Sequence, residues 1–177
     1  MFYFGPTTGG QYITKATYNM EVPSPPTNWV KSDETQRWLS LWIGVQDNPS
    51  NGDVLNMNLV QPLLNWGPTT PSGMQCPEHT VIGQPYVKVN KEATLEFETK
   101  GMRPAVFYSG NECYGDGCGT LPAYRYTNIT LVFNKAVDKL GDLVSYTNAT
   151  HTEWQTKDNG ITWTIDSITI AEDNLTE

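Results

Sequence analysis

Apolar residues recur at every second position through residues 37–46, which read RWLSLWIGVQ. Leu39, Leu41, Ile43 and Val45 fall on one face, and Trp38, Ser40, Trp42 and Gly44 on the other. A period of two is the geometry of a β-strand, whose successive side chains point to opposite sides. A second apolar run, residues 54–66, follows a turn rich in Asn, Pro, Ser and Gly, and its Asn51-Gly52 pair is a strong hairpin signal. Gln61 interrupts this second run. An amide buried without partners costs roughly 1–3 kcal/mol, so Gln61 either ties backbone segments together or lines a cavity. Tryptophans facing away from an aliphatic face, beside an inward amide, point to a groove as well as a core.

The same strand-and-turn pattern extends along the chain. Residues 11–20 read as a first strand, closed by the Pro-rich stretch 22–26. Residues 80–90 and 93–99 read as a hairpin across Asn90-Lys91-Glu92, residues 104–109 as a short strand, and residues 123–135 as a longer one. The clearest hairpin joins residues 152–158 to 161–165 at Asn159-Gly160, the dipeptide of a type I′ turn. That register sets Thr156 opposite Trp163 and Trp154 opposite Ile165, with Ile161 on their face and Glu153, Gln155 and Lys157 on the other. Beyond Asp166 the apolar parity switches to Ile168 and Ile170, which predicts a bulge near Asp166-Ser167. No segment has a helical period. Residues 1–177 therefore read as a single all-β domain, an antiparallel β-sandwich with a curved, concave sheet.

Composition excludes several function classes. Nineteen acidic residues against eleven Lys and Arg give a net charge of -8, which is unsuited to neutralising a nucleic-acid backbone. No run of eighteen apolar residues occurs, so no membrane span is expected. The opening Met1-Phe2-Tyr3-Phe4-Gly5 lacks the basic and long apolar regions of a signal peptide. Asn128-Ile129-Thr130, Asn148-Ala149-Thr150 and Asn174-Leu175-Thr176 are N-glycosylation sequons. Together these features lead us to expect a mature secreted protein without its leader.

The three cysteines fit that setting. Cys113 and Cys118 bound a short Gly-rich loop that a disulfide would close, and Cys76 is left over. The competing arrangement is a zinc site that adds Cys76-Pro-Glu-His79 to the other two thiols. It lacks the usual two-residue spacing in its second half, and structural zinc is uncommon where disulfides form. Neither a metal nor a cofactor is expected: the sequence contains no phosphate loop, no dinucleotide fingerprint and no Gly-x-Ser-x-Gly elbow. Glu96 and Glu98 share a strand face and read as solvated charges, and His79 and His151 stand alone. Cys76 or an exposed sheet edge offers a route to a homodimer.

Leu41-Trp42-Ile43-Gly44-Val45 and Leu59-Val60-Gln61-Pro62-Leu63-Leu64-Asn65-Trp66-Gly67 resemble segments of the fungal and bacterial glutamic peptidases, the eqolisins, and of their secreted relatives. The resemblance implies a concanavalin-like jelly roll whose catalytic glutamine and glutamate lie on the concave sheet. Gln61 takes the glutamine position. Two positions compete for the glutamate: Glu153, followed by Trp154, and Asn134, if the strand near residues 129–137 is the equivalent one. An asparagine there breaks the dyad, because an amide orients and stabilises but does not supply the proton of a general acid. We favour the broken dyad. The groove would then bind and orient a hydrophobic small molecule, with Trp38, Ser40, Trp42 and Asn134 as substrate-binding residues and Gln61 and Glu153 as the catalytic candidates. Natural-product cyclases of the hetero-Diels–Alder type work in this manner, needing orientation and carbonyl polarisation and no acid–base dyad. The alternatives are an active acid peptidase using Gln61 and Glu153, and a glycan-binding module with tryptophans under a sugar.

Overall fold

The period-two segment forms one long strand whose burial follows the alternation: Leu39, Leu41, Ile43 and Val45 are at most 2% exposed. The computed structural model describes residues 1–28, 38–48, 59–60, 63–66, 81–83, 92–98, 102–115 and 117–176. For residues 38, 59–60, 63, 65–66, 81–83 and 92–98 it describes the backbone alone. The strands are β1 (Phe2–Phe4), β2 (Ile13–Glu21), β3 (Trp38–Asp47), β4 (Leu59–Val60), β5 (Leu63–Trp66), β6 (Val81–Gly83), β7 (Glu92–Glu98), β8 (Pro104–Tyr114), β9 (Gly119–Leu121) and β10 (Tyr124–Phe133). They continue with β11 (Val144–Tyr146), β12 (Ala149–His151), β13 (Gln155–Thr156), β14 (Thr162–Ile170) and β15 (Asp173–Leu175). A 3₁₀ turn, Leu140–Leu143, precedes β11.

Two sheets make the body of the protein. Sheet A runs β11-β1-β8-β3-β5-β6, with β4 also on β3; sheet B runs β12-β14-β10-β2-β7, with β13 also on β14. A small third ladder joins β15 to β9. Among the described strands all pairings are antiparallel except that of β5 with β6. The two main sheets pack face to face over one apolar core, to which Leu41, Ile43 and Phe107 come from sheet A and Tyr126, Leu131 and Ile168 from sheet B. Aromatic rings knit the layers: Phe2 meets Tyr126 edge-on at 6.0 Å, Phe4 meets Phe133 at 5.7 Å, and Tyr18 meets Phe107 at 6.4 Å. Such contacts add to area burial because ring edges and faces carry opposite partial charge. The fold is the expected all-β antiparallel sandwich.

Several local expectations change in detail. The short β1 was not legible, and β8 runs well beyond residues 104–109. Of the expected hairpin of residues 80–90 with 93–99, residues 84–91 lie outside the described residues; of its described parts, β6 lies on β5 in sheet A and β7 on β2 in sheet B. The Asn159-Gly160 turn has the positive φ values, 55° and 92°, that a type I′ turn requires, and Thr156 pairs with Trp163 as expected. Gly160 is obligatory there, since a Cβ would also sit 2.5 Å from the Val137 carbonyl oxygen. Asp158 reinforces the turn by accepting hydrogen bonds from the Thr162 amide at 2.8 Å and the Thr156 hydroxyl at 3.0 Å. The Thr162 amide bond is the leading reason that its carboxyl titrates below the ordinary value.

The parity switch at Asp166-Ser167 is present, since Ile165 and Ile168 are both buried. The ladder of β14 with β10 nevertheless runs on without a shift there, from Thr127 opposite Ser167 to Ile129 opposite Ile165. The irregularity lies in β10, whose register on β2 shifts between Thr127 and Thr130, around Asn128 at φ 51°. At the open margin, where the chain passes from β11 to β12, Tyr146 stacks on His151 at 3.7 Å. Trp154 Nε1 donates to the Tyr146 hydroxyl at 3.0 Å, which ties the link after β12 to the same corner.

The buried tyrosines differ in how their hydroxyls are satisfied. Tyr124 donates to Asn111 Oδ1 at 2.6 Å, and Asn111 Nδ2 donates to Asp173 at 3.2 Å. The Tyr18 hydroxyl is buried with no hydrogen-bond partner among the described residues. Burial pushes the titration of both phenols far up, so both stay protonated at neutral pH. Replacing Tyr18 with Phe is therefore expected to leave stability unchanged or raise it by up to about 1 kcal/mol. Tyr124→Phe is expected to cost about 1–2 kcal/mol by stranding Asn111. Urea midpoints at constant slope distinguish the two, and equal losses would contradict the assignment.

Candidate functional site

Sheet A carries an unusual outward face. With Leu39, Leu41, Ile43 and Val45 turned to the core, β3 presents Ser40, Trp42, Gly44 and Gln46 on its other side. The ladder with β8 sets Trp42 opposite Gly110 and Gly44 opposite Tyr108. Each aromatic therefore faces a glycine, and the two rings interlock edge-to-face with centroids 5.0 Å apart. The indole of Trp42 lies over Gly110, where a Cβ would come within 2.4 Å of its Cζ2. Tyr3, directly opposite Tyr108 on β1, extends the surface with its ring 5.8 Å away.

Polar groups border this aromatic surface. The Tyr108 hydroxyl donates to Gln46 Oε1, which holds the ring upright on the sheet. Burial raises the titration of Tyr108, with the nearby charges of ionised Tyr3 and Glu112 acting in the same direction; burial alone raises that of Tyr3. Both phenols are thus protonated hydrogen-bonding groups at neutral pH. Trp42 Nε1 is buried with no acceptor among the described residues, although the ring itself is only half-buried. Beneath the surface, Tyr126 of sheet B donates to the Trp42 carbonyl oxygen at 3.4 Å, tying the strand that bears the site to the core.

The sequence candidates separate. Trp42 lies on this face; Ser40 shares its strand face and is buried. Trp38 pairs with Tyr114 farther along the same ladder. Gln61 lies outside the described residues, as does Cys76. Asn134 is at the far end of β10 in sheet B, where its amide is spent on the loop before β2: Oδ1 accepts from the Tyr12 amide at 2.7 Å and Nδ2 donates to the Gly10 carbonyl at 3.2 Å. That is a structural role in sheet B, whereas Trp42 belongs to sheet A. Glu153 is exposed in the link between β12 and β13, at the margin of sheet B, and is not brought to the face that carries Trp42. Glu153 and Asn134 thus join no constellation with the tryptophan.

Three residues of the site, Tyr3, Gln46 and Tyr108, were missed. A signal existed: Trp42-Ile43-Gly44 and Tyr108-Ser109-Gly110 are both aromatic-x-Gly triplets, and antiparallel pairing makes them complementary. Of the three Asn-x-Thr asparagines, Asn128 and Asn148 are exposed with φ 51°, and Asn174 is exposed in β15. Cys113 and Cys118 form a disulfide, with Cα atoms 5.8 Å apart, joining the end of β8 to the start of β9. No family model, no curated protein and no solved structure matches the chain. Among the described residues, no cluster of His, Cys, Asp and Glu is placed to hold a metal ion, and no helix is long and apolar enough to cross a membrane.

Two measurements test this geometry. Gly110→Ala is expected to displace the indole, shift its fluorescence and cost about 1–3 kcal/mol. In a cycle with Trp42→Ala the two losses should be strongly non-additive, because removal of the ring removes the clash. Thiol labelling of the unreduced, denatured protein should modify Cys76 alone, and the Cys113→Ser, Cys118→Ser pair should cost about 2 kcal/mol for so short a loop.

Proposed function

We propose that this protein is a secreted, eqolisin-like sandwich that has left proteolysis and binds a flat, largely apolar small molecule against Trp42, Tyr108 and Tyr3. The observation that carries this reading is the difference between the two outer faces. Sheet B presents what a solvated sheet needs, with Thr17, Asn19, Arg125, Thr127 and Thr164 outward and an Arg125–Glu21 ion pair across its surface. Sheet A places two interlocked rings and a third beside them at the corresponding level. Large aromatics on an outward sheet face, seated over glycines, offer area for a planar ligand and little hydration to lose.

The chemistry available to such a ligand is orientation and polarisation. The phenols of Tyr3 and Tyr108 are hydrogen-bonding groups able to face a ligand carbonyl, and Gln46 sets the direction of Tyr108. In an intramolecular cyclisation, bonds reorganise within the substrate, so the protein need only hold the reacting ends together and draw electron density toward one oxygen. Gln61, through the eqolisin resemblance, is the further residue we assign to that task. The peptidase reading pairs Gln61 with Glu153, and Glu153 lies at the margin of sheet B.

Titration with planar polyaromatic and quinone-type probes, followed by calorimetry, tests the reading. Trp42→Ala should weaken binding at least about tenfold, or roughly 1.4 kcal/mol, without unfolding the domain. Tyr108→Phe and Gln61→Ala should each cost about 1 kcal/mol in affinity for carbonyl-bearing probes and little for hydrocarbon ones. Denatured protein incubated with the chain at acidic pH should remain uncleaved. Cleavage abolished by Glu153→Gln would return the function to the glutamic peptidases.

A further inference from the structure

We infer that Asn128, Asn148 and Asn174 accept N-linked oligosaccharides, and that these sugars cover sheet B and its rim while leaving the aromatic face of sheet A bare. This rests on the secreted reading above. The three sequon asparagines are all exposed, and none belongs to a strand of sheet A. Asn128 is in β10, which lies between β14 and β2 in the middle of sheet B. Its left-handed backbone, φ 51°, marks the irregularity at which β10 shifts on β2. A glycan there would stand over the centre of the threonine-rich outer face.

Asn148 and Asn174 lie close together at one end. The Asn148 carbonyl oxygen accepts from the Ala171 amide at 3.0 Å, and its Nδ2 donates to the Glu172 carbonyl at 3.2 Å, two residues before Asn174. Asn174 Oδ1 accepts from the Thr176 hydroxyl at 2.8 Å, so acceptor amide and sequon hydroxyl are already in contact. A fourth near-match completes the asymmetry. Asn48-Pro49-Ser50 follows β3, the strand of Trp42, and its proline disqualifies it as a sequon. The sequence that would have placed a sugar beside the aromatic face is the one that cannot receive it.

The transfer needs a lipid-pyrophosphate-linked oligosaccharide as donor. Asparagine Nδ2 bonds to the anomeric carbon, the bond from that carbon to the pyrophosphate oxygen breaks, the nitrogen releases one proton, and the lipid pyrophosphate departs. The product amide keeps one N–H, enough for the Asn148 bond to Glu172.

The full chain, secreted from eukaryotic cells behind a supplied leader, provides the test. Enzymatic deglycosylation in heavy-oxygen water, followed by peptide mass spectrometry, should find all three asparagines converted to labelled aspartate. Asn128→Gly, which keeps the positive φ accessible, should remove one glycan and still be secreted. Hydroxyl-radical footprinting before and after deglycosylation should show Tyr3, Tyr108 and Trp42 labelled equally, with labelling gained around Arg125 and Thr127. An unoccupied Asn128, or labelling of Trp42 that rises when the sugars are removed, would overturn the inference. Loss of probe binding by the unglycosylated protein would instead count against the ligand reading, and the two failures are read separately.

Discussion

The antiparallel ladder between β3 and β8 holds both sides of the protein to one register. On its inner side that register puts Leu41 opposite Asn111 and Val45 opposite Phe107; on its outer side it puts Trp42 opposite Gly110 and Tyr108 opposite Gly44. A slip of one residue would send Leu39, Leu41, Ile43 and Val45 to solvent and would also set each aromatic against a side chain in place of a glycine. Core burial and the outer aromatic surface therefore select the same pairing. The packing of the sandwich and the shape of the candidate site are two consequences of one constraint.

From that ladder the remaining contacts follow in order. Phe107, on the inner side of β8, meets Phe2 and Tyr18 and so links three strands across the two sheets. Tyr126 reaches from sheet B to the backbone of Trp42 and shares edge contacts with Tyr18 and Tyr124. The outer rings thus stand on a floor fixed from below. A ligand surface gains from such support, since a ring that need not be ordered on binding costs less conformational entropy. The disulfide at the end of β8 ties that strand to β9 and so to the ladder of β9 with β15.

The polar interior is uneven, and the unevenness is informative. Asn111, Tyr124 and Asp173 form a satisfied chain near the disulfide end, whereas the Tyr18 hydroxyl is left unpartnered among the described residues. Trp42 Nε1 shares that condition. A buried donor without an acceptor carries a desolvation cost of about 1–3 kcal/mol, and such a cost is commonly tolerated at a functional surface. Tyr18 is packed between sheets, where a phenylalanine would serve; Trp42 Nε1 is turned onto Gly110, so its cost accompanies the seating of the indole on the sheet.

Much of this was legible without coordinates because it is local. The alternation of residues 37–46 determined which side of β3 is buried, the Asn159-Gly160 pair determined a turn with two positive φ values, and the four-residue Gly-rich loop between Cys113 and Cys118 brought the two within reach. Backbone conformation and side-chain parity depend on a residue and its near neighbours, so they can be read along the chain. What tertiary structure alone decided was partnership. It put β6 and β7 in different sheets, used the Asn134 amide to hold a loop, kept Glu153 away from the tryptophan and brought Tyr3 and Tyr108 to it from distant positions. Those outcomes depend on which strands lie side by side, and strand neighbours are chosen by burial and register over the whole domain rather than by any segment on its own.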